Sequence, residues 1–197
     1  MKRLIVLSAL SLSILLFLTT AALAANAPVS PKSAKAKDLY DKALAAGYHG
    51  KYQEAMDGFR KVTEIEPSYA LAYNGWGICL MNLKRYQEAT AKFSKAVELN
   101  PKFGKAYYNW GLALREMKDY AGAAEKFRKT TELEPRFEPA YTPWGLSLVE
   151  LGKYDEAIEK FRKIPQIDPK RTKDINKIIA NVKKMKADKA AKGTKKK

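Results

Sequence analysis

The chain has 197 residues and a formal net charge of +16, and its 46% of apolar residues are enough to build a packed core. One cysteine excludes an internal disulfide framework, and one histidine excludes a metal site with several histidine ligands. The sequence also lacks a phosphate-binding loop, a zincin helix and a nucleophile elbow. These absences argue against an enzyme and lead us to expect no cofactor and no metal.

The chain begins with the three regions of a signal peptide. A basic start at residues 1–3 is followed by an apolar run over residues 4–18 and by small residues that end at Ala24. We therefore expect residues 1–24 to be removed from a periplasmic or secreted bacterial protein. The alternative is a retained inner-membrane anchor, because an apolar stretch of about 20 residues is just long enough to span a bilayer. Residues 25–35 are predicted to be a flexible basic linker.

A repeat of 34 residues organises the chain from residue 36 to residue 169. Periods of this size are typical of stacked helical units. Each period contains two apolar stripes at helical spacing, and a proline closes the second stripe. The recurring positions are Tyr73, Tyr107 and Tyr141; Trp76, Trp110 and Trp144; Gly77, Gly111 and Gly145; Tyr52, Tyr86, Tyr120 and Tyr154; Ala55, Ala89, Ala123 and Ala157; Phe59, Phe93, Phe127 and Phe161; and Pro67, Pro101, Pro135 and Pro169.

These recurring residues resemble the tetratricopeptide repeat, with a Trp-Gly pair in place of the more usual Leu-Gly pair. The resemblance implies an all-α, right-handed superhelical array of four helix-turn-helix repeats, over residues 36–69, 70–103, 104–137 and 138–171. We expect first helices near 36–48, 70–82, 104–116 and 138–150. We expect second helices near 52–64, 86–98, 120–132 and 154–164.

Two prolines disturb the fourth repeat, and an amphipathic stretch follows it. Pro143 should remove a backbone hydrogen bond from the first helix, and Pro165 should kink or end the second helix near Ile164. Residues 172–188 are predicted to form a capping helix, and residues 189–197 a disordered lysine-rich tail. The apolar face of the capping helix would consist of Ile175, Ile178, Ile179, Val182 and Met185.

Charge is distributed unevenly along the chain. Residues 38–169 are nearly neutral, with 20 basic and 19 acidic residues, whereas residues 170–197 carry 12 basic and 2 acidic residues. The lysine-rich end could attach to an anionic membrane or cell-wall polymer, or it could simply be a solvated tail. Nucleic acid is disfavoured, because the tail from residue 189 has neither aromatic residues to stack on bases nor arginines for bidentate contacts.

Resemblance to the repeat family implies that the first helices line a concave groove that binds a partner. Amide and aromatic side chains there could hold a peptide backbone and offer flat contact area, and basic side chains could pair with an acidic group. Packing between helices is the competing explanation for the same positions. One class in the family grips a C-terminal carboxylate, but Tyr40 and Leu44 stand where its first basic and amide groups would be needed. The candidate residues are Tyr40, Tyr48, Asn74, Ile78, Asn82, Lys105, Tyr108, Asn109, Arg115 and Thr142.

The tryptophans and the cysteine are better explained by packing. The repeat needs a bulky residue at the tryptophan position, which favours a core column over a ligand-binding box. Cys79 occupies a small-residue position. We therefore predict a non-catalytic scaffold that binds a peptide or helix of a protein partner in its groove. The alternatives are a binder of anionic surfaces through its lysine-rich end and a self-assembling oligomer.

Overall fold

The computed structural model describes residues 31–194, and side chains as far as residue 191, as an all-α array. The predicted signal peptide and residues 25–30 of the predicted linker lie outside the described residues. No helix within the described range is long and apolar enough to cross a membrane. The linker prediction is too long at its C-terminal end, because helix α1 already begins at Ala34, where the Ser33 hydroxyl accepts a hydrogen bond from the Ala36 amide.

Helices α1 to α8 form four consecutive pairs, and each helix packs on the next. The predicted all-α repeat array is confirmed. The first helices are α1 (Ala34–Tyr48), α3 (Ala70–Asn82), α5 (Gly104–Glu116) and α7 (Tyr141–Glu150). The second helices are α2 (Tyr52–Ile65), α4 (Tyr86–Leu99), α6 (Tyr120–Leu133) and α8 (Tyr154–Phe161). A short helix α9 (Ile164–Ile167) and a long helix α10 (Thr172–Thr194) follow them.

One phenylalanine from each second helix forms the centre of each repeat. Phe93, Phe127 and Phe161 are fully buried, and burial of such a ring contributes roughly 1.5–3 kcal/mol. The glycine in the first helix of the same repeat makes this packing close. A Cβ atom at Gly111 would lie 2.7 Å from the Phe127 ring, so any larger residue there would require the ring to move.

The turn within each repeat places one residue in the left-handed region. Gly50 and Gly152 have φ values of 75° and 72°, and the equivalent residues Lys84 and Lys118 have φ values of 59° and 63°. The amide of Lys84 donates to the carbonyl of Met81, which closes the C-terminus of α3. Two repeats thus use glycine at this position and two use lysine.

Of the two prolines in the fourth repeat, Pro143 acts differently from the sequence prediction, whereas the second helix ends early before Pro165, as predicted. A 3₁₀ turn (Glu138–Ala140) precedes α7, so Pro143 is the third residue of the helix. Backbone amides in the first turn have no intrahelical acceptor, so proline at this position removes no helical hydrogen bond. The second helix ends at Phe161, three residues before the predicted end, and the chain restarts as α9, with Pro165 in its first turn.

Helix α10 caps the array and is longer than the sequence prediction. Ile175, Ile179 and Val182 are buried against the last repeat, whereas Met185 is 47% exposed and does not belong to the packed face. The segment predicted to be disordered from residue 189 is helical as far as Thr194. Its alanines and lysines are strong helix formers, and they extend a helix that packing has already nucleated.

Candidate functional site

The first helices α1, α3 and α5 contact one another in chain order and form a shared surface. A hydrogen bond of 3.0 Å from the Asn109 side-chain amide to the Asn74 side-chain oxygen joins α5 to α3 across this surface. The structure therefore brings together two of the predicted site residues. The Asn74 amide group can still donate and the Asn109 oxygen can still accept, which are the two functions needed to bind a peptide group.

A row of apolar side chains lies one turn further along the first helices. Leu44 is 46% exposed and Ile78 is 39% exposed, and Leu112 and Leu146 occupy the same position in the next two repeats, where they are half-buried. Because these residues recur at the 34-residue period, they cross all four first helices at the same height. We call this set, together with the ten predicted site residues, the first-helix surface.

Tyr40 and Tyr108 contribute to packing more than to an open surface. The Tyr40 ring lies 5.5 Å from Phe59 and 5.2 Å from Tyr69, and the Tyr108 ring lies 5.2 Å from Phe137. Burial raises the pKa of both phenols, with smaller contributions from the adjacent carboxylates. Both rings therefore pack against aromatic side chains of their own repeat, and only part of each ring remains exposed for a ligand.

Three further predicted residues lie at the margins of the surface. Tyr48 is 92% exposed at the end of α1, and its ring is 6.1 Å from His49. The Asn82 amide donates to the Ile78 carbonyl at 2.9 Å, so this side chain closes its own helix. Lys105 is exposed and forms no ion pair with any residue that the structure describes.

Arg115 and Thr142 each bring a buried polar atom without a partner to the first-helix surface. The Arg115 Nε and the Thr142 Oγ1 have no hydrogen-bond partner among the described residues. A buried polar atom left unpaired costs about 1–3 kcal/mol. A ligand that supplied an acceptor to Arg115 or a partner to Thr142 would recover part of that cost.

The tryptophan column is covered by lysines from the second helix of the same repeat. The ammonium nitrogens of Lys92 and Lys126 lie 3.6 and 4.3 Å from the ring centres of Trp76 and Trp110. The rings are half-buried, and a cation already occupies the face that a ligand-binding box would need. This geometry supports the packing interpretation of the column.

The sequence analysis did not identify a further set of aromatic residues that recurs from repeat to repeat. Tyr69, Phe103 and Phe137 recur at the 34-residue period, immediately before or near the start of the first helices. Tyr69 is 4% exposed and packs on Tyr40, and Phe137 packs on Tyr108. The period itself was the signal that could have revealed them, and they decide how deeply the tyrosines of the first-helix surface are buried.

Sequence comparison assigns the family. Family models of the tetratricopeptide repeat match residues 70–103, 104–137 and 144–171. The chain is a tetratricopeptide repeat protein. The first repeat lies outside these matches, but α1 and α2 form the same helix pair as the repeats that follow. No curated protein matches the sequence significantly.

Solved tetratricopeptide repeat structures share the fold. A crystal structure of MamA is 27% identical with a TM-score of 0.66, and the match covers 70% of this chain and 81% of that one. The first repeat domain of Spaghetti (RPAP3), bound to the HSP90 peptide SRMEEVD, is 26% identical with a TM-score of 0.60, and the match covers 63% and 98%. YrrB, described as a TPR protein with an unusual peptide-binding site, is 23% identical with a TM-score of 0.68, and the match covers 85% of this chain and 83% of that one. At this identity, the likeness supports the fold alone.

Proteins of this family are typically non-catalytic scaffolds. Among the described residues, no group of three or more His, Cys, Asp or Glu side chains is placed to hold a metal ion. The first-helix surface offers amide, apolar and cationic groups, and a binding surface can be built from these.

Proposed function

We propose that this protein is a non-catalytic adaptor whose first-helix surface forms a concave groove for an extended segment of a protein partner. The observation that carries the proposal is the hydrogen-bonded pair of Asn74 and Asn109 beside an apolar row in which Leu44 and Ile78 are exposed. Amide groups recognise a peptide backbone, and the apolar row supplies contact area for apolar side chains of the ligand.

The dimensions suit a peptide segment. Neighbouring helices pack about 8–10 Å apart, and an extended chain advances about 3.3 Å per residue, so a ligand would pass about three residues per repeat. Crossing the four first helices would take on the order of ten residues. The RPAP3 domain, which resembles this chain, binds a seven-residue peptide, and this supports a ligand of the same class.

The test is affinity capture from envelope extract with a variant that changes only exposed side chains. In Leu44→Ser with Ile78→Ser, two residues that are 46% and 39% exposed lose their apolar groups without a cavity in the core. The matched control is Met185→Ser with Ile65→Ser, which are 47% and 37% exposed and lie on α10 and α2. Circular dichroism should show the same helix content in all three proteins.

We expect the wild type and the Met185→Ser, Ile65→Ser control to capture the same single protein. The Leu44→Ser, Ile78→Ser variant should capture at least tenfold less of it. A peptide from that protein should then bind the isolated wild type with the same ranking of variants. Equal capture by all three proteins would overturn the groove.

We further propose that the mature protein is exported to the periplasm after cleavage following Ala24. The amino-terminal sequence supports this proposal, and N-terminal sequencing of the protein from cells tests it. A start at Met1 would show that the segment is retained.

A further inference from the structure

Helix α10 differs from the array in how its charges are paired. Of the fourteen ion pairs among described residues, twelve lie entirely within residues 37–160, most of them between neighbours three or four residues apart. One pair alone includes a residue of α10, a contact of 2.7 Å between Lys186 and Asp155. The array therefore neutralises its own charges, whereas α10 does not.

Three lysines of α10 lie on the side of the helix that faces away from the array. Lys173, Lys177 and Lys184 are exposed and form no ion pair or hydrogen bond with any described side chain. At 100° per residue, they point away from the face that Ile175 and Ile179 bury against the last repeat. Lys173 and Lys184 are 11 positions apart, or about 17 Å along the helix.

Packing holds this outer face in a fixed orientation. The inner face is apolar in its first half, and Lys186 binds Asp155 of α8 in its second half. One turn later, the Lys189 ammonium lies 5.5 Å from the centre of the Tyr154 ring. The lysines are thus presented by a docked helix rather than by a disordered tail, so binding through them would cost little conformational entropy.

We propose that the outer face of α10, formed by Lys173, Lys177 and Lys184, docks on the anionic headgroup surface of a phospholipid bilayer. Charge complementarity carries the proposal, because residues 170–197 contain 12 basic and 2 acidic residues beside a nearly neutral array. Lysine gives a point charge suited to a diffuse anionic surface. The face has neither arginine nor aromatic side chains, which specific binding to nucleic acid would use. This surface is separate from the first-helix surface and does not depend on the proposed groove.

The experiment is co-sedimentation of the mature chain with vesicles of phosphatidylglycerol and phosphatidylcholine at low salt. The test variant is the triple substitution Lys173→Glu, Lys177→Glu, Lys184→Glu. The matched control is Lys35→Glu, Lys61→Glu, Lys102→Glu, whose lysines are exposed, lie in the array and form none of the described ion pairs. Both triples change the net charge equally. A third variant, with arginine at the three α10 positions, keeps the charge.

Each lysine near an anionic bilayer strengthens binding about fivefold, so the α10 charge reversal should weaken binding at least about 100-fold. The array triple should change binding by less than about threefold, and the arginine triple should bind as the wild type does. Pure phosphatidylcholine should bind none of them, and 0.5 M salt should release the wild type. Equal losses in the two glutamate triples would overturn the proposal, because net charge alone would then explain binding. Tighter binding to duplex DNA than to vesicles would also overturn it.

Discussion

The left-handed turn of the second and third repeats predicts that two glycines should stabilise the protein. Lys84 and Lys118 have φ values of 59° and 63°, where Gly50 and Gly152 occupy the equivalent turns. The left-handed conformation costs a residue with a Cβ about 1–2 kcal/mol. Glycine avoids this cost but loses about 0.4–1 kcal/mol through its freer unfolded chain. We expect Lys84→Gly and Lys118→Gly to raise the free energy of unfolding by about 0.5–1 kcal/mol each.

Urea denaturation followed by circular dichroism would measure this change, and the double variant should melt roughly 2–8 °C higher than the wild type. Replacement by alanine removes the same side chain but keeps the strain, so Lys84→Ala and Lys118→Ala should be nearly neutral. Glycine in the middle of α2, as in Lys61→Gly, should destabilise by about 1 kcal/mol. If the alanine and glycine variants at residue 84 were equally stable, the strain argument would be refuted.

Three further predictions concern the core. Gly111→Ala places a Cβ 2.7 Å from the Phe127 ring and should destabilise by about 1–3 kcal/mol in the same urea assay; an unchanged midpoint would show that the ring moves freely. Burial, with a smaller contribution from Tyr40, raises the pKa of Tyr69 to about 12. Because the folded state then holds a proton that the unfolded state releases, the free energy of unfolding should fall from pH 10 to about 12, and urea titrations of Tyr69→Phe should show a smaller fall. Burial also raises the pKa of the Cys79 thiol to about 11, so a thiol reagent at pH 8 should label it only in urea, and rapid labelling of the folded protein would contradict this.

The regular repeats were predictable almost residue by residue. Helices α3 and α5 begin and end where the periodic pattern places them, because tyrosine, glycine and proline recur at fixed positions within each repeat. The fourth repeat was less predictable. The early end of the second helix before Pro165 was predicted, but Pro143 was expected to remove a backbone hydrogen bond, and the helix instead starts late enough to place it in the first turn. A pattern shared by all repeats carries no information about such local adjustments.

The sequence predicted which helix each candidate site residue lies on, but it did not predict how deeply each side chain is buried. Register alone placed Asn74 and Asn109 on neighbouring helices, and the structure joins them by a hydrogen bond. The same register treated Tyr40 and Tyr108 as open contact area, whereas Tyr69 and Phe137 cover their rings. Periodicity identifies the side of a helix, but the burial of a side chain on that side depends on residues that precede the helix.

The lysine-covered tryptophans give the array built-in optical probes. The second, third and fourth repeats each contain one tryptophan, and Lys92, Lys126 and Lys160 lie over their rings. The first repeat has Lys42 at the equivalent position. Tryptophan fluorescence therefore reports on the last three repeats and does not report on the first. If the terminal repeat frays first, circular dichroism will report the loss of helix before the emission spectrum shifts, and single-tryptophan variants will show the order in which the others open.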